Sequence, residues 1–520
     1  MREPEQPPRD TRWVALYVLC VGMLMIVLDV TVVNVALPSI QDDLHFSTSS
    51  LAWVVNAYLI AFGGLLLLAG RIGDLIGRRA VFLAGVGVFT AGSLLCGLAQ
   101  SQTWLVAARF AQGVGGAMTS AVILGMIVTM FPQPREQAKA IGVYAFVASA
   151  GGSVGLLAGG VITQSIDWHW IFFVNIPIGI ATAAFAARLL KRDSGIGFGK
   201  GADACGAILI TSALMLGVYT IVKPAAEDGW GASHTLVLGG LSVTLLAAFL
   251  IRQATAHNPL VPLRIFRVRN VAVANVIQIL SVAGMFGMFF LGALYLRRVL
   301  GYDALQIGLA FLPVSLTMGL LSIRYSERLV TRFGAHNALP PGLALIVIAL
   351  VLFAQAPVHG SYLTHVMPSM LLLGIGAGVC FPALMNVAMS GIQPQDAGLA
   401  SGLVNTTAQV GGALGLAVLA TLSTSRSQHL LAQGHPTATA LTSGYHLAFW
   451  IAAALAAAAI AIVPAVLRDP RRAPASRAES SGVHSSGAPG AEGEEDRQPH
   501  DDHNDRGGAG HGDRRPVTAA

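Results

Sequence analysis

Charge is what this chain has least of. Only 11% of its 520 residues are Asp, Glu, Lys or Arg, while 54% are hydrophobic and mean hydropathy is +0.65. A soluble domain carries about 25% charged residues, so the composition excludes an ordinary globular protein and indicates a polytopic membrane protein. Cysteine is scarce as well. The four that exist (Cys20, Cys96, Cys205, Cys380) all lie in apolar stretches. They read as small buried hydrophobes, not as disulfide partners or metal ligands. No Walker-type loop is present, which excludes ATP hydrolysis by this chain as an energy source. Ser, His and acidic residues never fall at nucleophile-elbow or metal-ligand spacing. The glycines of 151–160 sit inside an apolar run and not after a strand, so they form no dinucleotide loop. Neither an enzyme site nor a cofactor or metal is expected. The formal net charge of +6 reports topology in such a protein, not nucleic-acid binding.

What the chain has instead is apolar runs. Fourteen can be read, from 14–37 at one end to 445–467 at the other, each long enough to approach the roughly 20 residues of a spanning helix. The first is too long for a signal-peptide core and carries Asp29 and Asn34, so it reads as a retained helix. The 59 glycines suit close helix packing in lipid. Basic residues alternate with the runs. Arg71, Arg78, Arg79, Arg135, Lys139, Arg188, Lys191, Arg192, Arg252, Arg264 and Arg267 fall in segments of one side. Those of the other side hold only Lys223, Arg297, Arg298 and Arg426. This asymmetry predicts an even number of spans with both termini cytoplasmic. From Asp469 onward large apolar residues nearly vanish, which predicts a disordered cytoplasmic tail.

The predicted organisation is a cytoplasmic N-terminus (1–13), a six-helix bundle (14–190) and a linker holding two extra transmembrane helices (191–270). A second six-helix bundle (271–467) and the tail (468–520) follow. The halves echo one another. The loop Gly70-Arg71-Ile72-Gly73-Asp74-Leu75-Ile76-Gly77-Arg78-Arg79 has a degraded counterpart after the tenth span in Arg324, Glu327, Arg328, Arg332 and Gly334. Weak internal symmetry of this kind marks secondary transporters.

Asp29 is the one acid deep in an apolar run. A carboxylate there costs on the order of 3 kcal/mol on insertion scales, so it is expected to be paired, protonated or wetted. Arg109, Gln112, Gly113 and Gly116 recur at three- and four-residue spacing and so share a helix face. Arg109 at that depth also needs an acid, a carbonyl or water. In the 70–79 loop, Gly70 and Gly77 permit a tight turn, and Asp74 faces Arg78 and Arg79 in a surface charge lock. Gly151, Gly155 and Gly159 fall four apart, with Gly160 beside them, as a flat packing face.

The 70–79 loop resembles the cytoplasmic signature of the major facilitator superfamily. Leu28 to Pro38 resembles the first-helix signature of its fourteen-helix drug:proton antiporter branch. Arg109 to Ala117 resembles the fourth-helix motif, and Gly151 to Gly160 the fifth-helix antiporter motif. Trp168 to Pro177 and Ala400 to Thr406 are also similar to that branch. The resemblance covers roughly residues 12–468. The chain departs from it at Leu75, where a basic residue is common, at Leu156, where Pro commonly stands, and at Ala408, where the branch frequently has Arg.

The resemblance implies an all-α major facilitator fold of two six-helix bundles plus two extra helices, embedded in the cell membrane. It implies export of hydrophobic or amphiphilic small molecules, some of them cationic, driven by the proton gradient, by a monomer in the bilayer. Asp29, Arg109, Asn34 and Gln112 are the expected proton-coupling and substrate residues, and burial and a nearby guanidinium act on the carboxyl in opposite senses. Asn405 and Gln409 are neutral polar groups expected to face a cavity. A facilitator or importer on the same fold is the nearest alternative, and a non-transporting membrane sensor a remoter one.

Overall fold

The computed structural model describes residues 9–466 except 194, 196, 198–200, 228, 326, 327, 329–331, 391 and 393–395. The expected tail at 468–520 and Glu327 of the counterpart loop lie outside the described residues. Among the described residues, fourteen helices are long and apolar enough to cross a membrane. They are α1 (Arg9–Asp43), α2 (Thr48–Ile76), α3 (Arg78–Gly97), α4 (Gln102–Met130), α5 (Pro134–Ser165), α6 (Asn175–Leu189, which with the preceding helical turn Trp170–Phe173 makes one span) and α7 (Ala204–Val222). The remainder are α8 (Ser233–Thr255), α9 (Arg269–Arg298), α10 (Ala304–Arg324), α11 (Ala335–Phe353), α12 (Met367–Met389), α13 (Ala397–Ala432) and α14 (Thr437–Val466). In lipid every backbone group must be bonded within the protein, which a helix does internally. The ends are marked by local chemistry. The Ser47 hydroxyl accepts from the Ser50 amide at 3.1 Å, and Asp303 and Gln306 form a reciprocal capping box at the start of α10.

Helix pairing repeats. In the first half α1 packs on α5 and α6, α4 on α2 and α3, and α3 on α6. In the second half α9 packs on α13 and α14, α12 on α10 and α11, and α11 on α14. Adding eight to each helix number of the first set yields the second, so both halves are one six-helix pattern used twice. The halves meet along two seams, α2 with α13 and α5 with α10, which exchange under the same relation. Such a repeat lets one half rock against the other.

The seams depend on missing side chains. A methyl group added at Gly308 would overlap the Leu156 carbonyl oxygen, and one at Gly160 would lie 2.9 Å from Leu305 Cα. Within the first half, methyls at Gly151 and Gly159 would come within 2.8 Å of Leu24 and 2.9 Å of Val32 Cα, and one at Gly155 would overlap Thr31 Oγ1. Gly151, Gly155 and Gly159 therefore hold α5 against α1, while Gly160 faces α10. Leu156 is 1% exposed and fills the α5–α10 seam. Overpacking costs about 1–3 kcal/mol. Gly155→Val is expected to lower the melting temperature of the purified protein, and an unchanged melting curve would show that α1 and α5 are not pressed together there.

At the ends of the helices opposite Gly77, polar groups tie the halves. Arg298 of α9 reaches Asp42 and, at 3.3 Å, Gln41 Oε1 of α1. Arg297 lies 3.9 Å from Asp42, and within the first half the Trp168 indole donates to Asp43 at 3.1 Å.

The extra helices differ from the rest. α7 packs on α2, α13 and α8, whereas α8 packs mainly on α7. Asp203 anchors the pair. Its carboxylate accepts from Arg252 Nε, Gln253 Nε2 and the Gly206 amide at 2.8, 2.8 and 2.9 Å. Burial pushes the Asp203 carboxyl up, but the bonds from Arg252, the Gly206 amide and Gln253 outweigh it and hold it below the usual carboxylate range. Of the cysteines, Cys20, Cys96 and Cys380 are buried as expected, but Cys205 is exposed in the first turn of α7.

Candidate functional site

The deep polar groups of the first half converge on one carboxylate. Asp29 of α1 and Arg109 of α4 are each only 2% exposed, and Arg109 Nη1 lies 2.5 Å from Asp29 Oδ2. Gln112, one turn along α4, donates from Nε2 to Asp29 Oδ1 at 2.6 Å and accepts from Arg109 Nη1 at 2.6 Å. Asn175 of α6 donates to Oδ1 at 3.5 Å. Gln112 Nε2 also reaches Ser93 Oγ of α3 at 2.8 Å, and the Cys96 thiol points to Gln112 Oε1 at 3.5 Å.

Arg109 has partners besides the acid. Its Nε donates to the Val54 carbonyl of α2 at 2.9 Å. Its guanidinium carbon lies 4.5 Å from the Tyr58 ring centre and 5.9 Å from that of Phe172, within the range of cation–π attraction. Two glycines let α4 come this close. A methyl at Gly113 would overlap the Tyr58 backbone, and one at Gly116 would lie 2.9 Å from the Tyr58 hydroxyl. A methyl at Gly92 would lie 2.9 Å from the Gln112 backbone, so this glycine does the same for α3.

Chemically this is a carboxylate with its charge matched by one guanidinium and two amides, all from helices of the first half. It can hold or release one proton while Arg109, which cannot be deprotonated, keeps a carbonyl and two aromatic faces. A buried pair of this kind is sensitive to loss of either charge.

The structure brings Asp29, Arg109 and Gln112 together and leaves Asn34 aside. Asn34 is buried one to two turns away, and its amide donates to the Val30 carbonyl of its own helix at 3.0 Å. Sequence reading missed Ser93, Asn175, Tyr58 and the Val54 carbonyl, because uncharged groups on three other helices leave no local spacing signal. On α13, Asn405 is exposed and donates to the Ser401 carbonyl at 3.2 Å. Gln409 lies at the α2 seam, where a methyl on Gly63 would come within 2.8 Å of its Cβ.

The 70–79 segment departs from the expected turn. α2 runs on to Ile76, so Gly70 is helical, where a methyl would make only an ordinary contact with Ala121 Cβ at 3.9 Å, and Gly77 alone makes the turn at φ +105°. Between Gly70 and Gly77 no proline interrupts the run, and the helix continues through Gly73 to Ile76. The close approach is made by Gly73, where a methyl would come within 2.6 Å of Val122 of α4. Asp74 pairs with Arg78 alone among its expected partners, at 3.0 Å to Nη2, while Arg78 Nη1 donates to the Gly125 carbonyl of α4 at 2.9 Å. Arg79 turns away to the Ala187 carbonyl.

A residue with no sequence signal completes this loop. Asp193, in the linker after α6, accepts from the Arg78 and Arg79 amides at 2.6 and 3.2 Å. It caps α3 from outside the helix, and the Gly197 amide donates to the Leu75 carbonyl at 3.0 Å. Loss of a cap costs about 1 kcal/mol. Asp193→Ala should therefore speed amide hydrogen exchange at Arg78 and Arg79 about fivefold; unchanged exchange there would refute the cap.

The sequence profile of the Major Facilitator Superfamily matches residues 19–416. The puromycin resistance protein pur8 of Streptomyces alboniger is 37% identical over 483 residues, covering 92% of this chain and 95% of its own. The cephamycin export protein CmcT of Amycolatopsis lactamdurans is 38% identical over 416 residues, 80% of this chain and 85% of its own. Among solved structures, a bacterial homolog of the human lysosomal transporter Spinster, in an inward-facing and unoccupied conformation, aligns with a TM-score of 0.64 and 16% identity. That alignment covers 88% of this chain and 97% of the other, a likeness of fold.

Proposed function

The chain belongs to the Major Facilitator Superfamily, and we propose that it exports hydrophobic or amphiphilic small molecules across the cell membrane in exchange for protons. Relatives of this similarity are named for antibiotic resistance and export, which supports efflux as the direction. It works as a carrier, making and breaking no covalent bond in its cargo. The observation that supports proton coupling is the Asp29–Arg109–Gln112 cluster, the one deep acid among the described membrane-crossing helices, held against a permanent cation.

In this reading a proton adds to the Asp29 carboxylate and removes its attraction for Arg109. Arg109 stays on the Val54 carbonyl, Gln112 and the Tyr58 ring, so α4 keeps its place on α2 while α1 is freed from α4. Loss of the proton restores the pair. Because α1 also meets α9 and α10, its movement is felt at the contact between halves. With the basic loops in the cytoplasm, the Asp42–Arg298 tie closes the outer face, and the Asp74–Arg78 loop and its Asp193 cap lie inside.

The test is efflux of a fluorescent dye from a pump-deficient host expressing the full chain, with and without a protonophore. Export that stops on uncoupling supports the proposal, and export that continues undiminished supports a facilitator.

A further inference from the structure

Resting on the exporter reading above, we infer that substrate and proton occupy separate places: the proton sits on Asp29 inside the first half, and an uncharged, hydrogen-bonding amphiphile binds at the α2–α13 seam.

The first ground is the state of the carboxylate. Both oxygens of Asp29 are occupied, Oδ2 by Arg109 and Oδ1 by Gln112 and Asn175. Every donor comes from the first half, and the residue is 2% exposed. A cationic substrate would have to displace the Arg109 guanidinium, which cannot be deprotonated, from Asp29 Oδ2. No other acid can replace it, because the six membrane-crossing helices α9–α14 contain no Asp or Glu. In the first half the remaining acids of the spans lie at helix ends, Asp42 and Asp43 in α1, Asp74 in α2 and Glu136 in α5.

The second ground is what the second half offers instead. Gly402, Asn405 and Gln409 lie at three- and four-residue spacing on one stripe of α13. That stripe faces α2, since Gly402 meets Leu67 and Gln409 meets Gly63. Asn405, between these contacts, is exposed. An amide at this depth belongs in water-lined protein space, not in lipid. Beside it, Gln409 Oε1 and Thr406 Oγ1 are buried without a hydrogen-bond partner. An unsatisfied buried polar atom is costly, and a ligand that meets it recovers that cost. The seam therefore presents amide and hydroxyl groups without charge, which select uncharged donors and acceptors on an apolar body.

Separation changes the form of coupling. A proton and a cation competing for one carboxylate would exchange directly. Here the two sites communicate through helix position: α2 carries Val54 and Tyr58 of the proton site on one face and Gly63 and Leu67 of the seam on another.

The experiment uses purified full-length protein and two probes, tritiated chloramphenicol as a neutral amphiphile and ethidium as a permanent cation. The expected result is saturable chloramphenicol binding that Asp29→Asn leaves within about twofold while abolishing uncoupler-sensitive export. Gln409→Leu and the near-isosteric Thr406→Val should each weaken binding about tenfold, one hydrogen bond's worth. Failure of chloramphenicol to bind, its loss in Asp29→Asn, or ethidium binding that Asp29→Asn removes would each overturn separate sites. Uncoupler-insensitive export of both probes would instead count against proton coupling itself.

Discussion

Arg109→Ala is expected to destabilise the protein by about 3–5 kcal/mol, the cost of removing one partner from a buried ion pair, and to abolish export. Three losses combine. The Asp29 carboxylate keeps only the Gln112 and Asn175 amides, the Val54 carbonyl loses its donor, and the space over Tyr58 is emptied. A proton taken up by Asp29 sets the ceiling on this cost, because a buried acid neutralises before it stays unpaired. Asp29→Asn should cost less. The amide is nearly isosteric, and Arg109 retains Val54, Gln112 and two aromatic rings.

The two changes together separate stability from coupling. In Asp29→Asn with Arg109→Gln both charges go, and replacing both partners of a buried polar pair approaches neutrality. Thermal melting in detergent should recover most of the Arg109→Ala loss, while export driven by an imposed pH gradient stays absent. A double variant that still exports against a gradient would remove Asp29 as the proton site. One that remains as unstable as Arg109→Ala would show that the packing of Arg109, not its charge, sustains this part of the bundle.

The second large effect is expected at the opposite end of the bundle, where reversing the charge of Asp42 should open the tie between halves. Asp42, Arg297 and Arg298 are each roughly two-fifths exposed, so each pair contributes no more than about 1 kcal/mol. That is small against folding but large against a balance between two carrier states, where about 1 kcal/mol changes populations roughly fivefold. Asp42→Arg should exceed either single arginine change, since Arg297 stands ready at 3.9 Å when Arg298 is lost. The spin–spin distance distribution between labels on the ends of α1 and α9 that carry Asp42 and Arg298 should shift to longer values in Asp42→Arg. It should return toward wild type in Asp42→Arg with Arg298→Asp. A distribution that ignores both changes would mean the ion pairs follow the closed state without favouring it.

Much of this could be read along the chain. The fourteen spans, the deep acid and the face shared by Arg109 and Gln112 are properties of runs and spacings, which the bilayer converts into helices because lipid allows almost nothing else. Gly151, Gly155 and Gly159 were legible as a packing face for the same reason. Their partners were not. That α5 presses on α1 through three glycines and on α10 through Gly160 depends on which helices become neighbours. The 70–79 segment was misread as a turn from Gly70, since its glycines do not say which one bends; only Gly77 takes a positive φ. Asp193 was invisible because its partners are backbone amides more than a hundred positions away.

What the sequence by itself determined, then, is the membrane, the number of crossings and the single acid whose burial needs an explanation. These follow from composition and periodicity, which need no knowledge of contacts. What only the tertiary structure decided is what that acid does with its charge. Asp29 turns into the first half, onto Arg109, Gln112 and Asn175, and leaves the facing helices of the second half without an acid. The physical reason is that a buried charge is settled by the few groups within hydrogen-bond reach of it, and α1, α4 and α6 had to pack before those groups could meet.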